Sequence, residues 1–543
     1  MPFIKINDTE FEVPNGQTIL EAAKSVGIAI PFYCYHPGLK IVASCRMCLV
    51  EMQGAPKLMP ACATPITELP PGKKIQDKYD AVILTESEKV KTARASVLEF
   101  LLLNHPIDCP ICDKAGECKL QDYSYEHGYA ISRFIEPKRI PQKKDLGPTI
   151  YLYTSRCILC SRCVRFTEEI SQTEELKVVH RGAHSEIEIM PGKPLDNKMM
   201  GNVVDICPVG CLIDKHERFE GRVWNFTHTD SICPGCSKGC NTILDVMKHD
   251  KLNLEDLVDT VYRIRPRENM SVNQWWICDD GRYYLEAFKS KNRLAVPHIR
   301  THSGLAETTW EAALEKTATI IRSVDPSQVL LMASPYASNE ENYLLVKLAQ
   351  EGNFTIDTVK PEYGYTQTFP TASGKYPFTI ESEKAPNYKG VLSLLNINEN
   401  QAGQKLVSGN TKVILFVNDK NLPEPEKIKS ACPETLIIGL VTYESDFFKK
   451  ADILLPSTLF TETSGTYTNR NGMMQKFNRA VFPKGEIRPG WQIIQQIAVA
   501  LNFSWNYATI GHVAREMFEK VPAFLNTDFS KLYPQLAERE MIL

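Results

Sequence analysis

Sulfur constrains this chain more than any other feature. Of its 17 cysteines, all but Cys432 lie before residue 279, so one half is chemically specialised and the other is expected to be scaffold or docking surface. A disulfide framework belongs to small secreted domains. The amino terminus, MPFIKINDTEFEV, has neither a basic stretch before an apolar core nor an Arg/Ser-rich amphipathic character. No secretory or organellar leader is therefore expected, and the thiols should stay reduced. Reduced thiols in such number point to metal ligation.

The 543 residues imply about three or four domains. A charged fraction of 23% and a net charge of -3 give no electrostatic reason to expect nucleic acid or an anionic membrane surface as partner. No apolar run of about 18 residues occurs, so no membrane-spanning helix is expected.

The cysteines fall into four groups. The first, Cys34, Cys45, Cys48 and Cys62, is spaced C-x10-C-x2-C-x13-C. Upstream, FIKINDTEFEV alternates like two strands around Asn7-Asp8. A Thr18/Glu21 capping box then opens a helix that Gly27 is placed to end. Hairpin, helix and cysteine loop is a ferredoxin-like order that suits a [2Fe-2S] cluster, although x10 departs from the plant-type spacing. Ser44 and Arg46 stand where an N–H or a charge could tune the sulfurs. A zinc ribbon is the plainer reading of the same residues.

The second group, His105, Cys109, Cys112 and Cys118, follows the apolar helical stretch SVLEFLLLN. Three thiolates leave a cubane one ligand short, which nominates His105 as the fourth. A Pro- and Lys-rich link, EPKRIPQKKDLGP, leads to the third group, Cys157, Cys160, Cys163 and Cys207. C-x2-C-x2-C with a remote Cys-Pro is a bacterial iron–sulfur pattern. The fourth group is Cys233, Cys236, Cys240 and Cys278, which leaves Cys211 and Cys432 as spares. Cys211 reads as a small buried hydrophobe.

ASCRMCLVEM, HPIDCPICDKAGECKLQD, SRCILCSRCVRF and GNVVDICPVG resemble the large iron–sulfur subunit of the proton-pumping NADH:quinone oxidoreductase, respiratory complex I, closely over residues 1–220 and more loosely beyond. The resemblance implies an α/β multidomain chain. Its parts would be a β-grasp [2Fe-2S] ferredoxin domain (1–78), a one-His, three-Cys [4Fe-4S] domain (79–140), an all-Cys [4Fe-4S] domain (141–220), a molybdopterin-oxidoreductase-type [4Fe-4S] domain (221–285) and a degenerate molybdopterin-oxidoreductase-like α/β domain (286–543). It carries over His105 as a ligand, one [2Fe-2S] and three [4Fe-4S] clusters, and neither flavin nor molybdopterin. It also implies a bacterial protein, because the fourth group resembles an off-pathway cluster of some bacterial members.

Implied partners are the FMN- and NADH-binding flavoprotein subunit, the small [2Fe-2S] subunit, the two-[4Fe-4S] ferredoxin-like subunit and the quinone-site subunits. The implied location is the cytoplasmic side of the inner membrane, touching the membrane only through the complex. Electrons from the flavoprotein would enter at the first group, pass to the third and the second, and leave toward quinone. No residue is nominated as catalytic.

The carboxy-terminal half carries the apolar runs QVLLMAS, KGVLSLLNIN, KVILFVND, TLIIGLVTY and ADILLPS, which read as an α/β region with a mostly parallel sheet. No G-x-G-x-x-G or Walker A motif occurs. ICDDGRYY and GTYTN resemble the molybdopterin oxidoreductase domain and raise a rival, a true molybdenum enzyme. Against it, in Cys278-Asp279-Asp280-Gly281-Arg282 the acid Asp280 stands where catalytic relatives usually place a Lys, the region is short for two pterins, and no Cys is found where a metal-binding thiolate would be expected. A relay subunit of an NAD-linked hydrogenase or formate dehydrogenase, sharing the first three groups, and a zinc-bearing assembly protein are the other readings.

Overall fold

The computed structural model describes residues 1–543 except 71, 248–259, 290–291, 370–376, 406–409, 424–427, 429–432, 526 and 535–543. Cys432 therefore lies outside the described residues. Two units can be separated, one from Met1–Asn225 with Phe369–Phe378 and one from Phe226–Thr368 with Thr379–Leu543.

In the first unit, alternation along Phe3–Ile6 buries Ile4 and Ile6. Asn7, at φ +52°, turns the chain so that Thr9–Glu12 pairs antiparallel with it. The expected helix is Ile19–Ser25. Thr18 and Glu21 cap each other's backbone amides, and Gly27, at φ +77°, ends it. Ala81–Leu84 lies between Phe3–Ile6, to which it is parallel, and Leu49–Met52 in a five-stranded sheet. This β-grasp sheet thus extends past the expected limit at 78. The apolar AVIL segment fills its centre, and Asp80 accepts the amides of Phe3 and Leu69, each at 2.8 Å, which ties that strand to the chain start.

Beyond the sheet, helices Glu88–Leu102 and Lys119–His127 flank the second cysteine group. Ile150–Tyr153 is the centre of a three-stranded sheet with Lys143–Asp145 and Leu212–Asp214. Helix Arg162–Glu169 begins inside the third cysteine motif.

The second unit opens with an antiparallel sheet of Phe226–Ile232, Asn241–Met247 and Thr260–Pro266. Its larger sheet has seven strands, in the order Gly304–Glu307, His298–Thr301, Ile453–Pro456, Leu436–Val441, Val413–Val417, Val329–Ala333 and Thr355–Thr358. From Ile453–Pro456 onward the pairs are parallel, and four of the five apolar runs supply these strands, as a sheet covered on both faces requires. KGVLSLLNIN does not. It forms helix Tyr388–Leu395, burying Tyr388, Val391, Leu392 and Leu394 at helical spacing and stopping at left-handed Asn396.

Helix Asn339–Gly352 is tied to helix Ile510–Lys520 through Glu516, which accepts hydrogen bonds from Lys347 at 2.8 Å, Tyr343 at 2.9 Å and Lys520 at 2.7 Å. Burial pushes the Glu516 carboxyl up, but these bonds outweigh it and hold it down to about 2. With the folded value below the unfolded one, the carboxylate's contribution is complete above about pH 4.5 and is lost as pH falls toward about 2. Glu516→Gln should therefore melt lower at neutral pH and lose less stability than the parent across that acid range. Parallel melting-temperature profiles for the two proteins would refute this.

Candidate metal centres

The first group gathers at the edge of the β-grasp core, in which Cys48 and Cys62 are packed. The Cys34 amide donates to the Cys45 sulfur at 3.5 Å, and thiol hydrogen bonds join Cys34 to Cys45 and Cys62, and Cys48 to Cys62. Bonds from Cys45 and Cys62 hold the Cys34 thiol far below the usual thiol range. Of the two residues nominated for tuning, Ser44 gives its backbone N–H to Cys34. Arg46 is exposed, and its left-handed backbone, φ +60°, bends the knuckle instead.

In the second group His105 is half-buried, and its buried Nδ1 has no hydrogen-bond partner. Burial, then the charges of Lys138 and Arg156, push it down to about 4, so at neutral pH it is uncharged, the form in which an imidazole can ligate a metal. Lys138 donates to the carbonyls of Leu102 at 2.8 Å and His105 at 2.7 Å. The Pro- and Lys-rich link is therefore an anchor as well as a spacer. Cys118 is the residue that begins helix Lys119–His127.

A later segment closes over this group. The Phe219 amide donates to Asp113 and Arg222 Nη1 to the Cys112 carbonyl, both at 2.7 Å. Gly116, at φ +88°, lies so close to Val223 that a Cβ there would be 2.7 Å from its Cγ2.

Cys157, Cys160, Cys163 and Cys207 line one small apolar cavity with Ile158, Ile187, Val209 and Leu212. Cys211 lines it too. Its thiol bonds Cys157 and Cys207, and the bond it gives Cys207 is the main reason that thiol is brought down to about 6. Cys211 is thus part of the group's lining rather than an inert spare. The C-P-V-G-C spacing was the available signal.

The third group is joined to the first and to the second. Arg165, buried on helix Arg162–Glu169, donates through Nη2 to the carbonyls of Cys34 and Cys160 and through Nη1 to that of Lys40. Arg162 bridges the carbonyls of Tyr35 and Ile206. On the other side Arg156 donates to Asp108 at 3.0 Å. The Cys112 sulfur rests on Gly210, where a Cβ would be only 2.1 Å away. None of these arginines, nor Gly210, was singled out from sequence.

The fourth group belongs to the second unit. Cys233, Cys236, Cys240 and Cys278 are buried, and the Cys233 amide donates to the Cys240 carbonyl at 2.8 Å. A Cβ on Gly281 would lie 2.9 Å from the Cys233 sulfur. Asp280, in the position that suggested a lost pterin contact, accepts from the Tyr365 hydroxyl at 3.0 Å.

The donor chemistry fits polynuclear iron. Burial and neighbouring thiols push Cys163, Cys240 and Cys278 well above the usual thiol range. Several such thiols can ionise together only when a cationic core compensates them. Among the described residues, no three His, Cys, Asp or Glu side chains are grouped for a single ion.

A pterin fits less well. A cavity of about 620 Å³ lies in the second unit where strands Val413–Val417, Leu436–Val441 and Ile453–Pro456 end, the edge at which such sheets usually bind ligands. Among its described lining residues Asp280, Glu341, Asp419 and Glu444 face a single cation, Lys420. That balance is wrong for a phosphate-bearing pterin.

Comparison with known proteins agrees with this division. Residues 3–69 match the 2Fe-2S iron-sulfur cluster binding domain, 94–133 the NADH-ubiquinone oxidoreductase-G iron-sulfur binding region, and 147–213 the ferredoxin-like domain of NADH-quinone oxidoreductase subunit 3. Residues 392–500 match the molybdopterin oxidoreductase family. The NADH-quinone oxidoreductase G chain of Rickettsia felis is 37% identical over 86% of this chain and 67% of its own length. That of Rickettsia bellii is 29% identical over 96% and 90%. For Rickettsia conorii the match is 39% over 65% of this chain and half of the relative. A solved chain of NAD+-reducing [NiFe]-hydrogenase in the H2-reduced state is 30% identical over 41% of this chain and 91% of its own, with a TM-score of 0.35. Four cysteine-rich groups on this scaffold and the Rickettsia chains lead to one assignment: the chain belongs to the family of large iron–sulfur (G-type) subunits of NADH-quinone oxidoreductase.

Proposed function

We propose that this chain is the electron relay between the flavoprotein and quinone-reducing parts of an NADH-quinone oxidoreductase whose whole assembly couples the transfer to proton translocation. Iron–sulfur clusters, when bound, supply the one-electron chemistry. The chain's residues supply positions, insulation and ligands. Cys34, Cys45, Cys48 and Cys62 would hold [2Fe-2S]. His105 with Cys109, Cys112 and Cys118, then Cys157, Cys160, Cys163 and Cys207, and finally Cys233, Cys236, Cys240 and Cys278 would each hold [4Fe-4S].

The observation that carries this reading is the placement of the third group against the first and the second, through Arg165 on one side and Gly210 on the other. It supports the order first, third, second. Partners on this reading are the flavoprotein, the small [2Fe-2S] subunit, the two-cluster ferredoxin-like subunit and the quinone-site subunits, on the cytoplasmic face of the membrane. Among the described residues no helix is long and apolar enough to cross a membrane, which fits attachment through such partners.

Iron, sulfide, zinc and molybdenum analysis of the anaerobically purified chain tests the reading, with about 14 iron atoms and negligible zinc and molybdenum expected. Stoichiometric molybdenum would overturn it. Cys207→Ser should bring iron down to about 10 per chain, whereas Cys211→Ala should leave about 14. The reverse result would make Cys211 the fourth ligand.

A further inference from the structure

Tyr33 is among the largest fully buried side chains of the molecule, at 0% exposure, yet its hydroxyl has no hydrogen-bond partner. A buried polar atom left unpaired in a folded protein calls for an explanation. Tyr33 precedes Cys34 in the loop of the first group, but its ring does not stay there. It packs against Tyr123, with centroids 5.3 Å apart and planes at 57°. Tyr123 lies on helix Lys119–His127, which Cys118 of the second group begins. Burial is the strongest influence on the Tyr33 hydroxyl, followed by Tyr123, Cys118, Cys45 and Asp122.

None of these groups accepts the phenolic hydrogen in the folded chain. Tyr123 already receives the Phe32 amide, and Asp122 is engaged by Lys119 at 3.4 Å on the exposed face of its helix. The acceptor left for it is sulfur of a bound cluster, and the ring packs on the helix that Cys118 begins.

We propose that Tyr33, carried on the loop of the first group, donates its phenolic hydrogen to sulfur at the Cys118 corner of the second group and so raises that centre's reduction potential. Hydrogen bonds to sulfur are one of the protein's means of setting such potentials. A neutral donor favours the reduced, more negative state. The inference rests on the reading of His105, Cys109, Cys112 and Cys118 as cluster ligands. It assigns to Tyr33 a positioning and tuning role, with no bond made or broken.

Tyr33→Phe removes one oxygen and keeps the ring, so packing on Tyr123 is preserved. The test is an EPR-monitored redox titration of the anaerobically purified full chain and its Y33F variant, with iron content measured on the same samples. Pulsed EPR in H2O and D2O would look for an exchangeable proton coupled to the reduced second centre. Expected are unchanged iron, a lower midpoint potential at the second centre only, and loss of one exchangeable proton coupling. Full iron with an unmoved potential would overturn the inference alone, as would a shift confined to the first centre. A wild-type chain with no signal from the second group would overturn the ligand reading, and the inference with it.

Discussion

Gly210→Ala should strip iron from two centres at once. The new methyl would stand 2.1 Å from the Cys112 sulfur and 3.1 Å from Lys114 Cβ, far inside contact distance. Cys112 cannot avoid it by rotating without leaving the position from which it would bind metal. Nor can the backbone retreat freely, because Gly210 is held between Cys207 and Cys211 in a loop of buried residues. Whichever side yields, one group is opened, and the strain reaches its neighbour. We expect a loss of about four to eight irons per chain, with overpacking destabilising the first unit by about 1–3 kcal/mol. Iron and sulfide analysis with EPR of the reduced protein reads both losses. A variant with full iron and the parental spectrum would show that the Gly210 contact is dispensable.

Arg165→Met should uncouple the first group from the third. The guanidinium serves the carbonyls of Cys34, Lys40 and Cys160 from a position only 7% exposed. Methionine fills much of the volume but donates nothing, and each of the two buried carbonyls, on Cys34 and Cys160, left without its donor costs about 1–3 kcal/mol. The sum is about 2 kcal/mol or more. Arg165→Lys should restore only part of this, since one ammonium cannot span the carbonyls that a planar fork reaches. Thermal unfolding of the full chain should show both variants below the parent, with methionine the lower. Equal melting temperatures for all three proteins would refute the bridge as a source of stability.

Much of the architecture was legible in advance because its determinants are local. Alternation at Phe3–Ile6 and the Thr18/Glu21 box are read over a few residues, and the structure places hairpin and helix accordingly. The errors and omissions share another cause. KGVLSLLNIN is short and apolar enough for strand or helix, and burial on one helical face decided it. Ala81–Leu84 joins the first sheet through pairing with residues far away in sequence. Arg156, Arg162 and Arg165 sit in plain view within SRCILCSRCVRF, but the carbonyls bound by Arg162 and Arg165 on Tyr35, Cys34 and Lys40 are reached only after folding. Charge next to a metal motif reads as a solvated residue until burial shows otherwise. Cys211 was set aside on ligand arithmetic, which counts thiols and ignores the bonds between them.

The closure of the second group by residues near Arg222 has a temporal side. Cys109, Cys112 and Cys118 leave the ribosome well before the segment whose Phe219 and Arg222 bond Asp113 and Cys112. Across roughly a hundred intervening residues, synthesis at ordinary rates leaves an interval of about 5–20 s. During that interval the loop is translated but not sealed. Metal delivered then meets an open loop, whereas metal delivered after the arrival of Arg222 must wait for that segment to lift. The order in which the chain is made therefore gives this centre a loading window, and the same contacts that end the window protect what has been loaded.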